Sequence, residues 1–255
     1  MILTFASTIH DPENRLDWLI DEVGLSLRGL FNSAIVSYTP KTHLNTVNLL
    51  IEKGYSVYEA NDTVLNCYQM SLRNSLDSNV DVIFYCDLDR ALHWIKYFPE
   101  EINTIIKKMV TQDDFILLGR TRRAFETHPD TQSSTEGIAN LIVSKILGFT
   151  NTRDVLSATW ILNASHVGTI LKFKSENRFG FYAEWPIILW RVANHPNYIE
   201  VEGLEWETPD RYTNEIGNKG FEDWKRSYQT QSEWRKRCEM LRDFIDSSLK
   251  YHQVQ

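Results

Sequence analysis

Apolar and polar positions along the chain keep two rhythms in turn. A continuous apolar run over residues 2–7 fits a buried strand, and the polar turn HDPENR follows, where Asp11-Pro12 can open a helix. Leu16, Leu19, Ile20, Val23, Leu27 and Leu30 then recur at helical spacing. The exchange repeats: strand 33–38, helix 42–53 stopped by Gly54, strand 55–59, helix 63–76, and strand 80–86, VDVIFYC, the most continuous apolar run of the first half. Further on the pattern predicts a helix over 99–110 and a strand over 115–119. A basic turn over 120–123 and a polar loop over 124–135 come next. Helices over 137–147, 164–171 and 185–193, strands over 157–163 and 198–201, and one charged helix over 221–249 complete the reading. Strand and helix alternate from the start, which predicts an α/β fold with a mostly parallel central sheet flanked by helices.

Neither a repeat nor a linker interrupts the chain. The expected organisation is one domain over 1–215, with a nucleotide-binding half (1–90) and an acceptor half (91–215), followed by a helical extension over 216–255. Trp224, Tyr228 and Trp234 are expected to pack that extension back on the domain or on a second copy of the chain, as a homo-oligomer would. A formal net charge of −7 counts against a general nucleic-acid binder, which needs a basic surface to displace counterions. Cys67, Cys86 and Cys238 are odd in number and far apart, which suits neither a disulfide framework nor a metal-ligand spacing. The first residues carry no basic n-region, and no run approaches the ~18–20 apolar residues of a membrane span. The cytoplasm is the expected compartment.

The chemistry concentrates where strand 80–86 runs into Asp87-Leu88-Asp89. Ligands of open α/β sheets sit outside the carboxyl ends of the strands. In extended chain residues i and i+2 point the same way, so both carboxylates can face one ion. Mg²⁺ and Mn²⁺ take hard oxygen ligands, commonly one or two carboxylates plus substrate phosphates. A solvated pair opening a loop is the plain alternative. Arg120 directly follows a predicted strand and suits a phosphate, whereas Arg122 and Arg123 read as surface. Glu184 and Asp154 are candidate bases for a hydroxyl acceptor; a helix-dipole partner and a helix cap are the competing roles. His93 and His195 are candidate further metal ligands, and Trp160, Trp185 and Trp206 could stack on a sugar, with core packing the competing role for Trp160.

An ordered series of segments gives the chain a resemblance. YCDLDR is followed by FPEEI, FILLGR, GIANLIVSKILGF, RDVLSATWIL and FGFYAEWPIILWRV, and in that order they resemble the GT-A fold of family 2-like glycosyltransferases, such as dolichyl-phosphate mannose synthases and mannosylglycerate synthases. The resemblance covers about residues 1–210. It implies a metal-dependent transfer of a sugar, of hexosyl class, from a nucleoside-diphosphate sugar to a small-molecule or lipid-linked hydroxyl. It places Thr8 to Asp11, Tyr38, Thr39, Asn61 and Asp62 around the nucleotide. Asp87 and Asp89 would hold Mn²⁺ or Mg²⁺ on the diphosphate, and a late histidine, His195 here, would complete the metal site. The chain departs from the family in its opening, ASTIHDPENR, in Ala91 two residues after Asp89, and in Glu184 followed by Trp185. Two other readings stay open: a non-catalytic nucleotide-sugar-binding protein of the same fold, supported by Ala91, and a haloacid dehalogenase-type phosphatase with Asp87 as nucleophile.

Overall fold

The computed structural model describes residues 1–61, 63–76, 79–108, 113–172 and 177–252. Seven strands form one sheet: β1 (Leu3–Ile9), β2 (Ser33–Tyr38), β3 (Ser56–Glu59), β4 (Val82–Tyr85), β5 (Phe115–Arg120), β6 (Trp160–Asn163) and β7 (Pro196–Val201). Their order is β3-β2-β1-β4-β6-β5-β7. Strands β3, β2, β1 and β4 run parallel, β6 pairs antiparallel with both β4 and β5, and β7 runs parallel to β5. Thus β4 and β5 point the same way and end on the same rim.

Helices α1 (Asp17–Arg28), α2 (Leu44–Glu52), α3 (Val64–Ser75), α4 (Leu88–Tyr97) and α5 (Pro99–Lys108) belong to the first half. In the second half lie α6 (Arg122–Glu126), α7 (Asp130–Ile146), α8 (Ala164–Leu171), α9 (Phe181–Val192), α10 (Thr213–Lys219), α11 (Phe221–Lys225) and α12 (Gln231–Leu249). The strands read from continuous apolar runs are buried on both faces, as parallel strands covered by helices must be. One core packs Phe5, Phe31 and Phe84 under α1 and α4; the other packs Tyr68, Trp160, Phe181 and Trp185 under α3 and α9.

Three local expectations change. Residues 124–135 form α6 and the first turns of α7 instead of a loop. The first helix starts at Asp17, not at Asp11-Pro12, because the Asp11 carboxylate accepts from the N–H groups of Arg15 and Leu16 at 3.0 Å each. The long terminal helix is broken into α11, a 3₁₀ turn over Arg226–Gln229, and α12, whose N-cap Thr230 accepts from the Glu233 N–H at 3.4 Å. Helix α12 lies back against α7 and α9.

The segment after β7 returns to the rim where β4 ends, and one carboxylate fixes its path. Glu101 Oε1 accepts from Glu202 N, and Oε2 accepts from Gly203 N and Trp94 Nε1, all at 2.8 Å. A Cβ on Gly203 would stand 1.8 Å from Trp94 Cδ1, a side chain wholly buried. Gly203→Ala is therefore expected to cost about 1–3 kcal/mol or more, as overpacking does, read by urea unfolding; an unchanged midpoint would refute this packing.

Candidate functional site

Asp87 follows β4 and is the N-cap residue of α4, so Asp89 falls in the first helical turn. This corrects the extended i, i+2 geometry: the strand-to-helix junction, not a pleat, brings both carboxylates to one side. They line a single cavity of about 160 Å³ together with Thr8, His10, Thr39, Tyr68, Tyr182 and Arg211. Ala91 faces the core from the same helix and is fully buried, so that position is spent on packing.

The two aspartates differ in charge environment. Asp87 Oδ1 accepts from Tyr68 Oη at 2.7 Å and from Thr8 Oγ1 at 3.2 Å. Burial raises its pKa, Arg90 opposes that, and the neighbouring Asp89 adds to it. Asp89 moves the other way: burial would raise its pKa, but Arg211 outweighs it, with Nη2 donating to Oδ2 at 2.9 Å. Asp89 Oδ1 also accepts from the Arg90 N–H at 3.0 Å. Arg211 reaches back with Nη1 to Asp11 Oδ1 and to the His10 carbonyl, both at 3.2 Å.

Among the described residues no group of three or more His, Cys, Asp or Glu could hold a metal ion. The protein thus offers two carboxylates on one cavity. That donor set fits a hard divalent cation that takes its remaining ligands from phosphates and water.

Of the nucleotide-site residues expected from the sequence, Thr8 and Thr39 line this cavity. Thr39 Oγ1 lies 2.6 Å from His10 Nδ1. Asp11 is buried outside the cavity, and its oxygens are taken by the N–H groups of Arg15 and Leu16, Thr46 and Arg211. Tyr38 turns toward Glu59 on β3, where burial and that carboxylate raise its pKa. Asn61 is exposed beyond β3, and Asp62 lies outside the described residues.

The second half departs further from expectation. Arg120 is not presented to a phosphate. Its Nε and Nη2 donate to Asp154 at 2.6 and 2.9 Å, and Nη2 also donates to Glu136 at 2.6 Å. Asn140 Nδ2 donates to Asp154 at 2.8 Å, and His128 Nε2 lies 3.1 Å from Arg120 Nη1. Asp154 is accordingly held ionised: burial opposes the charge, but Arg120 lowers its pKa below the usual value. A carboxylate so committed is a poor base, and the network borders a different cavity from that of Asp87. Glu184 is buried in α9 and turned to the chain end, with Lys250 Nζ at 3.7 Å. Tyr182, two residues earlier, points into the Asp87 cavity, and two helical residues are about 200° apart around the axis. His195 stands at the entry to β7, its N–H donating to Asp114 Oδ1 at 3.0 Å just before β5. That is the opposite edge of the sheet from Asp87, because the parallel strands enter there and end at the site. His93 is buried between Asp210 at 2.7 Å and Glu205 at 3.3 Å, away from the aspartate cavity.

No family model matches the sequence, and no curated protein matches it. Solved structures do. A crystal structure of glucosyl-3-phosphoglycerate synthase from Mycobacterium tuberculosis overlays at TM-score 0.52 and 13% identity, covering 98% of this chain and 80% of that one. The same enzyme in complex with Mn²⁺, UDP and phosphoglyceric acid overlays at TM-score 0.50 and 12% identity, covering 98% and 78%. This chain has the GT-A fold. A looser overlay, at TM-score 0.41 and 14% identity, covers 64% of this chain and 53% of a structure described as a mycobacterial protein. The GT-A fold leaves the phosphatase reading without support. His10, inside the expected Thr8–Asp11 stretch, lines the cavity, whereas Arg211, Tyr68 and Tyr182 are lining residues that the sequence reading missed. Among them only Arg211 carried a signal, as a cation inside the polar aromatic segment GLEWETPDRY.

Proposed function

We propose that the chain is a metal-dependent glycosyltransferase whose donor is a nucleoside-diphosphate sugar. The observation that carries this reading is the convergence of Asp87, Asp89 and Arg211 on one cavity at the carboxyl rim of the parallel strands. Asp87 and Asp89 would hold Mn²⁺ or Mg²⁺, which supplies positive charge to the departing diphosphate. One solved neighbour is a complex with Mn²⁺, UDP and phosphoglyceric acid, which supports a uridine donor and Mn²⁺ as first choices.

Each side chain has a definable task. Arg211 pairs with both Asp89 and Asp11. A bound diphosphate offers Arg211 a further anion, so the guanidinium can swing from Asp89 to phosphate without leaving a cation unpaired. Thr8, His10 and Thr39 line the side of the cavity nearest β1 and β2, where they can take the nucleotide's polar edge. Tyr68 and Tyr182 also line the cavity, linked by a 3.1 Å hydrogen bond between their hydroxyls. Tyr68 thereby holds Asp87 in one orientation.

Calorimetric titration with UDP in the presence of Mn²⁺ tests the reading directly, and absence of metal-stimulated binding would remove it. The pH dependence adds a signature. A cation binds the ionised form of Asp87, and burial keeps that group protonated to higher pH than an ordinary carboxylate. Affinity should therefore keep tightening as pH rises above the ordinary carboxylate range, beyond the change caused by the diphosphate itself. Asp87→Asn should bind more weakly and keep only the ligand's own pH dependence. An identical pH slope in both proteins would refute the role of Asp87.

A further inference from the structure

Behind Tyr182 lies a second cavity, of about 170 Å³, that the donor reading does not use. Tyr182 lines both spaces, and its hydroxyl is joined through Tyr68 to Asp87. The walls of the second cavity include Arg90, Glu136, Glu207, Arg237 and Phe244. Two of these, Arg237 and Phe244, come from α12, so the terminal helix helps build it.

Charge is balanced across this lining. Arg90 Nε stands 3.8 Å from Glu207 Oε2, and Arg237 Nη1 stands 3.7 Å from Glu136 Oε1. Arg237 also donates through Nη2 to Gln132 Oε1 at 2.8 Å. Each cation thus already faces a carboxylate, and no excess positive charge is left to receive a phosphate. Glu207 is the unusual member. Its side chain is only 10% exposed, and its Oε2 is fully buried with no hydrogen-bond partner. Burying such an oxygen without a donor is costly, and native proteins keep few of them. An ionised carboxylate only accepts hydrogen bonds, so the missing partner is a donor. Tyr182 and Phe244 add aromatic walls suited to the C–H face of a sugar ring.

We propose that this cavity binds the acceptor, and that the acceptor is an uncharged polyhydroxylated molecule, a sugar or polyol, with one hydroxyl donating to Glu207. This assignment rests on the donor reading of the neighbouring cavity. It separates this chain from its solved neighbours, one of which was crystallised with phosphoglyceric acid. Burial raises the Glu207 pKa and Asp89 adds to it, although Arg90 opposes the shift, so the group is also more basic than a free carboxylate.

The test uses saturation-transfer NMR on the full chain, with and without UDP and Mg²⁺. The probes are methyl glucoside, glycerol and 3-phosphoglycerate. Methyl glucoside or glycerol should give transfer and 3-phosphoglycerate none. Glu207→Met keeps the side-chain volume and removes both oxygens. It should weaken the neutral probe at least ten-fold, and its melting temperature reads what Arg90 loses with its 3.8 Å partner. If that variant melts well below the native protein, Arg237→Gln reads the same wall and should weaken the probe at least three-fold. Binding of 3-phosphoglycerate in preference to the neutral probes would overturn the proposal. So would neutral-probe binding that survives both substitutions, or binding of UDP with no neutral probe bound. Failure of UDP to bind would remove the donor reading alone, since Glu207-dependent sugar binding to the unloaded protein would still support this cavity.

Discussion

Asp87→Ala is expected to abolish metal-stimulated release of UDP from UDP-glucose, by on the order of a thousand-fold, while leaving the melting temperature unchanged or higher. The rate loss is the scale of removing a principal stabiliser of developing charge. The stability forecast comes from linkage. Burial raises the Asp87 pKa in the folded chain, so the contribution of this group to stability is full below its unfolded pKa and is lost as pH rises through the folded value. Near neutral pH the ionised group therefore works against folding, and alanine relieves it. Asp89→Ala should behave differently. Its folded pKa is lowered by Arg211, so it contributes stability that is present above its unfolded pKa and lost as pH falls through the folded one. Loss of Asp89 should cost activity and stability together. A stabilised, inactive Asp87 variant beside a destabilised, inactive Asp89 variant is the signature of a cation site built by one strained and one satisfied carboxylate. Full donor turnover in Asp87→Ala would end the functional reading, and a large fall in its melting temperature would end the electrostatic one.

What the sequence made legible follows from where hydrophobicity carries the signal. Strands β1, β2, β4 and β5 are covered on both faces, so their apolar runs stand out, and the acids after β4 could be placed at the rim. Helix α7 shows the opposite case. Its buried positions are Thr131, Gln132, Thr135, Glu136, Ala139, Asn140, Val143 and Ser144, a helical stripe in spacing but mostly polar in type. The stripe is polar because Glu136 and Asn140 face the Arg120–Asp154 pair, Gln132 accepts from Arg237, and Thr131 donates to the Tyr228 carbonyl. A reading that counts apolar residues sees a loop in its first turns. Position along the chain hid Arg211 in the same way: it lies far from Asp89 in sequence, and only the return of the chain after β7, pinned by Glu101, brings them together. The break before α12 was readable. Thr230 and Glu233 have the spacing of a capping box, which starts a new helix instead of continuing the old one.

The Arg120 network makes the largest stability forecast. Arg120 is 4% exposed and is the shared partner of Asp154 and Glu136, with Phe125 stacked 4.7 Å from its guanidinium carbon. Replacing it with methionine leaves Asp154 buried without its cation and Glu136 with only Arg237, at 3.7 Å. Breaking a buried ion pair from one side costs about 3–5 kcal/mol. For a chain of this length that lowers the melting temperature by on the order of 10 °C. Asp154 has a pKa lowered by Arg120 against the pull of burial, so the loss in Arg120→Met should shrink as pH falls and the carboxylates take up protons. The double variant Arg120→Met with Asp154→Leu should recover much of the loss, because the uncompensated charge goes with its partner. Donor binding separates this role from a catalytic one. Asp87 and Arg211 line a different cavity, so the folded fraction of Arg120→Met should bind UDP with Mn²⁺ at close to native affinity. A native melting temperature with weakened UDP binding would instead place Arg120 on the phosphates, as its position after a strand first implied.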